Sequence, residues 1–298
     1  MDDVSWLFHF PEMGKETLRA LKKAIDFGYL DFSRTYGGAI ESFFNPLLHF
    51  LVWFEDLFLN TPWWLVILVI AALAYLASRN WRVVAGVIVA FLAIGYFGMW
   101  QDTMSTMAMI FVSTLLSIVI GMPIGILMAR YDRAQALITP GLDVMQTMPS
   151  FVYLIPVVML LGIGKVPGLI AVVIYAIPPI IRLTNLGLRL VDREVLEAAD
   201  AFGSSYWQRL LRVQMPLALP NIMAGINQTI MMALAMVVIA SMIGVHGLGQ
   251  PVLKAVTNQY FALGLFNGLA IVALAIVFDR VTQAYGRRLQ RFRQVTHD

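Results

Sequence analysis

Seven stretches of the sequence are apolar over roughly the 17–25 residues that a helix needs to cross the hydrocarbon core of a bilayer. They run over about 62–78, 83–99, 104–129, 150–164, 166–181, 220–245 and 261–278. A helix bonds its own backbone groups, so it can sit in lipid without water. The fold expected is therefore all-α: a polytopic membrane protein with about seven transmembrane helices. The fourth stretch is short and is expected to begin earlier, near Leu142. If the fourth and fifth only re-enter the membrane, the number falls to six. Composition agrees, with 59% hydrophobic and 13% charged residues, against roughly a quarter charged in soluble chains. The absence of cysteine excludes disulfides, iron–sulfur clusters and cysteine-based zinc sites. Residues 1–20 carry Asp2, Asp3, Glu12 and Glu16 and no apolar core behind a basic start, so insertion is expected from the internal spans rather than a cleaved leader.

Charge predicts the orientation. With the first span running inward, the inner connections carry Arg79 and Arg82; Arg130 and Arg133; Arg182, Arg189, Arg193, Arg209 and Arg212; and Arg280, Arg287, Arg288, Arg291 and Arg293. The outer connections carry only Lys165 and Lys254. That asymmetry puts the N-terminus outside and the C-terminus in the cytoplasm. Lys15, Arg19, Lys22, Lys23 and Arg34 in the tail lie too far from the first span to weigh against it. Two regions follow: an extracytoplasmic tail, 1–61, and a transmembrane domain, 62–298. Within the tail, the aromatic-rich 43–59 reads as an interfacial amphipathic segment. An eighth span there would have to find partners for Asn45, His49, Glu55 and Asp56.

The long inner connection, 182–219, holds the most informative pattern. Asp192 is a candidate N-cap, and Val191, Val195, Ala199 and Phe202 recur at helical spacing. Gly203 suits the position just past a helix end. Ser205 and Gln208 have the spacing of a capping box that starts a second helix. Pro216 and Pro220 are expected to close that helix and open the next span. Two short helices joined at a glycine on the cytoplasmic face suit a groove on another protein.

Glu197-Ala198-Ala199, three residues, Gly203, nine residues, then Val213-Gln214-Met215-Pro216 resembles the EAA loop of ABC importer permeases, E-A-A-x3-G-x9-I-x-L-P, with Val213 and Met215 in place of Ile and Leu. From about Trp81 to Ala284 the chain is similar to the glycine betaine/proline betaine subfamily, through Leu142–Gly164, Ile177–Gly187 and Met223–Gln250. The resemblance implies the type I importer fold and a permease subunit in a bacterial inner membrane. It would carry glycine betaine, choline or a related quaternary-amine compatible solute. Glu197, Ala198, Ala199, Gly203, Val213, Met215 and Pro216 would couple it to an ATPase. The implied partners are two copies of that ATPase, an extracytoplasmic substrate-binding protein and a second copy of the permease, all served by the bilayer, with no nucleic acid.

The rest of the sequence is consistent with a non-catalytic subunit. No G-x-x-x-x-G-K-[ST] loop is present; Gly162-Ile163-Gly164-Lys165-Val166 lacks both spacing and hydroxyl. ATP would therefore be bound by the partner, and no cofactor is expected. His9, His49, His246 and His297 are scattered, so no metal site is expected. Gly121 and Gly125 have the small-x3-small spacing of close helix contacts. Polar residues at membrane depth point to a pathway, a subunit interface or simple interhelical bonding: Asn227, Gln228 and Ser241 in the sixth stretch and Gln146 at the opening of the fourth. Gly244, Gly247 and Gly249 read as a turn or gate. The alternative function is a secondary transporter or channel needing no ATPase, which would call for charged residues deep in the spans.

Overall fold

The computed structural model describes residues 12–294; His9 and His297 lie outside them. Among the described residues every regular element is helical. α1, Lys15–Asn60, is one helix of 46 residues, about 70 Å long. Its continuation stops at Thr61-Pro62, where the ring of proline removes a donor and forces Thr61 to an extended conformation. α2, Trp63–Ser78, then leaves the end of α1 at 108°. α2 and α3, Trp81–Tyr96, form a tight antiparallel pair. Arg79 (φ 47°) reverses the chain, and Asn80 caps α3 by accepting the Arg82 N–H at 2.9 Å.

α4, Trp100–Arg130, is the central span, and α5, Asp132–Thr147, follows after one residue. Met148 precedes Pro149 and is driven to the extended region (ψ 133°), so the helix cannot run on. A 3₁₀ turn at Ser150–Tyr153 and α6, Leu154–Leu161, continue at 112° to α5. The fourth apolar stretch is thus a broken element, not a straight span from Leu142. α7, Lys165–Ala176, and α8, Pro178–Arg189, run together as one span of 25 residues. Pro178 and Pro179 occupy the first turn of α8, where no N–H is required. Arg182–Arg189 therefore belongs to this span rather than to the expected loop.

α9, Arg193–Ala201, and α10, Tyr206–Arg209, are the two short helices. α10 passes through a π-turn at Leu210–Gln214 directly into α11, Met215–Ala240. The second short helix does not end at Pro216, because the π register lets a residue without an N–H enter a continuous rod, Tyr206–Ile243. After a 3₁₀ turn at Ser241–Ile243 come α12, Gly249–Asn258, and α13, Phe261–Gln294. Among the described residues, four helical runs are long and apolar enough to span a membrane, and six if each bent pair counts as one; α3 is a further apolar helix of 16 residues. Together these cover the seven stretches seen in the sequence.

α8 is gripped between α4 and α11 by glycines on both sides. A Cβ on Gly121 would lie 2.6 Å from the Ile180 side chain, and one on Gly125 would lie 2.7 Å from the Ile181 carbonyl oxygen. On the other side, Cβ atoms on Gly187 and Gly225 would meet Asn221 at 2.9 Å and Leu183 at 3.1 Å. Such contacts hold helices together where lipid offers no hydrophobic drive. Residues 43–59 form the last part of α1 and pack on this bundle. Leu51 is 1% exposed, Phe54 stacks on Phe111 at 4.8 Å, and further back Tyr29 Oη donates to the Pro156 carbonyl at 2.5 Å.

Candidate functional site

The α9–α10 element has the local structure its residue types dictate. Asp192 caps α9, accepting the Glu194 N–H at 3.0 Å. α9 ends in a Schellman motif: Ser204 N–H donates to Ala199 C=O at 3.1 Å and Gly203 N–H to Asp200 C=O at 2.9 Å. Gly203, at φ 74°, is the left-handed residue this motif needs. The interval from Ala199 to Gly203 is thus the interval from the third-last helical residue to the C′ position. Ser205 and Gln208 bond reciprocally as a capping box, at 2.9 and 3.4 Å, and start α10 immediately.

Behind this element lies a set of cationic anchors. Arg209 Nη1 pairs with Asp200 Oδ2 at 2.5 Å, fastening α9 to α10. The Arg130 guanidinium at the end of α4 sits 4.1 Å over the Tyr206 ring, a cation–π contact. Arg189 donates to the Met128 carbonyl at 2.8 Å and pairs with Asp132 at 2.7 Å, joining α8 to the α4–α5 turn. Arg182 pairs with Asp143, joining α8 to α5. Leu210 is 2% exposed, and Tyr206 and Met215 pack on the same core cluster. Met215 N–H closes the π-turn on Leu210 C=O, and Val213 lies within that turn.

The opposite side of the element is unpartnered. Phe202 is 92% and Trp207 65% exposed, and Val195 is exposed beside them. Glu197 and Ala198 are also exposed, and among the described residues Glu197 makes no hydrogen bond or ion pair. The expected apolar face is split, because Val191 is buried just before α9 while Val195 and Phe202 face outward.

The four other polar candidates do not converge. Asn227 and Gln228 line a cavity of about 590 Å³ between α11 and α13. Ser241 lies at the far end of α11, buried, donating to Val238 C=O at 2.6 Å. Gln146 is exposed on the last turn of α5. Gly244 (φ 84°) and Gly247 (φ 138°) make a turn whose Leu248 N–H bonds Thr106 Oγ1 at 2.9 Å. Among the described residues no cluster of His, Asp and Glu could hold a metal.

Sequence reasoning missed one polar site. Lys165 Nζ and Glu55 Oε2 are 2.6 Å apart, and Ser105 Oγ donates to Glu55 Oε1 at 2.8 Å. Glu55 is 7% exposed in an otherwise apolar setting. The signal available was the partner requirement of an acid within an apolar helix, but the partner stands 110 residues away.

The family described as “Binding-protein-dependent transport system inner membrane component” matches residues 121–291, from mid-α4 through α13. The glycine betaine/proline betaine transport system permease protein ProW of Escherichia coli (strain K12) is 50% identical over 242 residues, covering 81% of this chain and 68% of that one. The glycine betaine/carnitine transport permease protein GbuB of Listeria monocytogenes is 45% identical, covering 83% and 90%. A chain of the MetNI methionine ABC transporter, solved in inward-facing conformations, superposes with a TM-score of 0.58 at 20% identity, over 64% of this chain and 95% of that chain, which shows a shared fold.

Proposed function

Because the chain belongs to the binding-protein-dependent transport system inner membrane components, the non-catalytic membrane subunits of ABC importers, we propose that it carries glycine betaine or a closely related quaternary amine and takes its energy through the α9–α10 element. The substrate class rests on what its relatives are named for. The coupling role rests on one observation: a rigidly capped pair of short helices presents Phe202, Trp207 and Glu197 to nothing, at the end of a continuous helix that runs through the bundle. The partner facing it is an ATPase subunit. Closure of an ATPase pair would push on α9–α10, and the anchors at Arg209, Arg130 and Arg189 would pass that displacement to α4, α8 and α11. This is a two-state element biased by a remote ligand.

The working assembly would hold two copies of this chain, two ATPases and a substrate-binding protein outside. The positive-inside asymmetry supports an outer N-terminus and an inner α9–α10. Glu197, Ala198, Ala199, Gly203, Val213, Met215 and Pro216 form the coupling surface and its mount, while Gln146, Asn227, Gln228 and Ser241 remain candidates for pathway or subunit contact. The test is ATP-driven uptake of labelled glycine betaine in proteoliposomes. Glu197→Lys and Gly203→Asp should abolish uptake while membrane insertion and chain yield stay unchanged. Normal uptake in both would remove the coupling role.

A further inference from the structure

α3 and α13 enclose a groove that is apolar along its length and cationic at one end. Their register is set at the far end, where Phe97 stacks on Phe266 at 5.0 Å. Arg82 on α3 and Arg280 on α13 each stand about 22 Å from that contact along their own helix, so the two arginines come level. From them Gly86 and Ala90 follow at one-turn intervals on α3, and Val277 and Ala273 on α13. All six line one groove of about 420 Å³, and the rest of its wall is apolar. A Cβ on Gly86 would meet nothing within 4 Å, so the groove is open there. Gly286 on α13 packs toward Met223, in the half of α11 nearest α10, so the arginine end is the end that carries α9–α10.

The charge at that end is uncancelled. Among the described residues neither Arg82 nor Arg280 pairs with a carboxylate. Asp279, next along α13, accepts instead from Asn227 on α11 and from Gln283. Asn80 already accepts the Arg82, Val83 and Val84 N–H groups, so those donors of α3 are spent and the guanidinium groups are what an anion would meet. Trp81, 71% exposed, lies beside them with its ring 4.8 Å from Tyr75, and such aromatic side chains sit at the level of lipid headgroups.

Two guanidinium groups above an apolar trough match the two parts of a phospholipid. Guanidinium forks hold phosphate oxygens in pairs, and basic pockets between helices on the cytoplasmic side take anionic headgroups. A neutral zwitterionic lipid would bring its own cation toward the arginines. A second copy of this chain, docked here by a twofold axis, would bring the same arginines toward one another.

We propose that the α3–α13 groove binds one anionic phospholipid, its phosphate held by Arg82 and Arg280 and an acyl chain laid along Gly86 and Ala90. The site is independent of the solute carried and of the coupling at α9–α10; its place in the cytoplasmic leaflet follows from the orientation proposed above.

The test is native mass spectrometry of the detergent-purified permease–ATPase complex, titrated with phosphatidylglycerol and, separately, with phosphatidylcholine of the same acyl chains. One phosphatidylglycerol per permease copy should be retained in preference to phosphatidylcholine. Arg82→Gln and Arg280→Gln should each weaken that retention roughly fivefold, and both together about thirtyfold. Gly86→Leu, which fills the trough and leaves both arginines in place, should release the lipid as well. Arg133→Gln, on α5 and outside the groove, should change nothing. All of these positions are exposed, so no variant opens the core. Equal retention of phosphatidylcholine, no retained lipid in the parent complex, unchanged retention in the double arginine variant, or an equal loss in Arg133→Gln overturns the site. Unchanged retention in Gly86→Leu reduces it to a bare anion site and overturns the lipid.

Discussion

Gly125 and Gly203 are both glycines for opposite reasons. Gly203 has open space around it but stands at φ 74°, so its freedom is conformational. Gly125 has ordinary helical geometry, yet a Cβ there would press within 2.7 Å of a backbone oxygen of α8. A backbone atom cannot swing aside as a side-chain tip can, so the helices must separate. Gly125→Ala should therefore lower unfolding stability in detergent by about 1–3 kcal/mol, as overpacking does. Gly86→Ala, where nothing lies within 4 Å, should lose no stability, because alanine favours the helix by up to about 1 kcal/mol. Thermal unfolding of the two variants side by side checks this; equal behaviour would mean that the α4–α8 crossing is not set by close contact.

Elements are also joined at polar points, and the Glu55–Lys165–Ser105 cluster ties α1 to the start of α7 and to α4. Glu55 is buried, so removing its partner leaves an unpaired acid, whereas removing both leaves only apolar contact. Lys165→Met should destabilise by up to roughly 3 kcal/mol, reduced by the partial exposure of the ammonium, and Glu55→Leu in the same chain should recover most of it. A double-mutant cycle measured by thermal unfolding checks this. If the double variant is as unstable as Lys165→Met alone, the penalty comes from lost packing of the lysine stem and not from the stranded carboxylate.

For the whole molecule, one chain carries one α9–α10 element, and an ATPase that closes as a pair needs two. The small-residue face of α11, with Ala224, Gln228 and Ala235 exposed, leaves a surface unsuited to lipid. Native mass spectrometry of the purified importer should give two copies of this chain with two ATPase subunits. A single copy beside a different permease chain would keep the coupling role and change the assembly to a heterodimer.

The all-α membrane fold, most of the spans and every capping device of the α9–α10 element were legible in the residues. Apolar length and cap chemistry are local properties: Asp192, Gly203, Ser205 and Gln208 act on neighbours within four residues. What the sequence could not settle were events that depend on distant partners or on register. The long run of α1 into the bundle depends on Lys165 pairing with Glu55, on Ser105 donating to it, and on Leu51 and Phe54 packing there. The passage of α10 into α11 follows from a π-turn that absorbs Pro216, and the sharp break before α6 from Met148 yielding to Pro149 while the bundle holds both arms. The hydrogen bond from Asn227 to Asp279 exists only because α11 and α13 bring together residues 52 apart. Short-range bonding was written in the order of the residues; long-range charge pairing and helix register were decided by the packed structure alone, because their energies depend on which groups meet once lipid and neighbouring helices have replaced water.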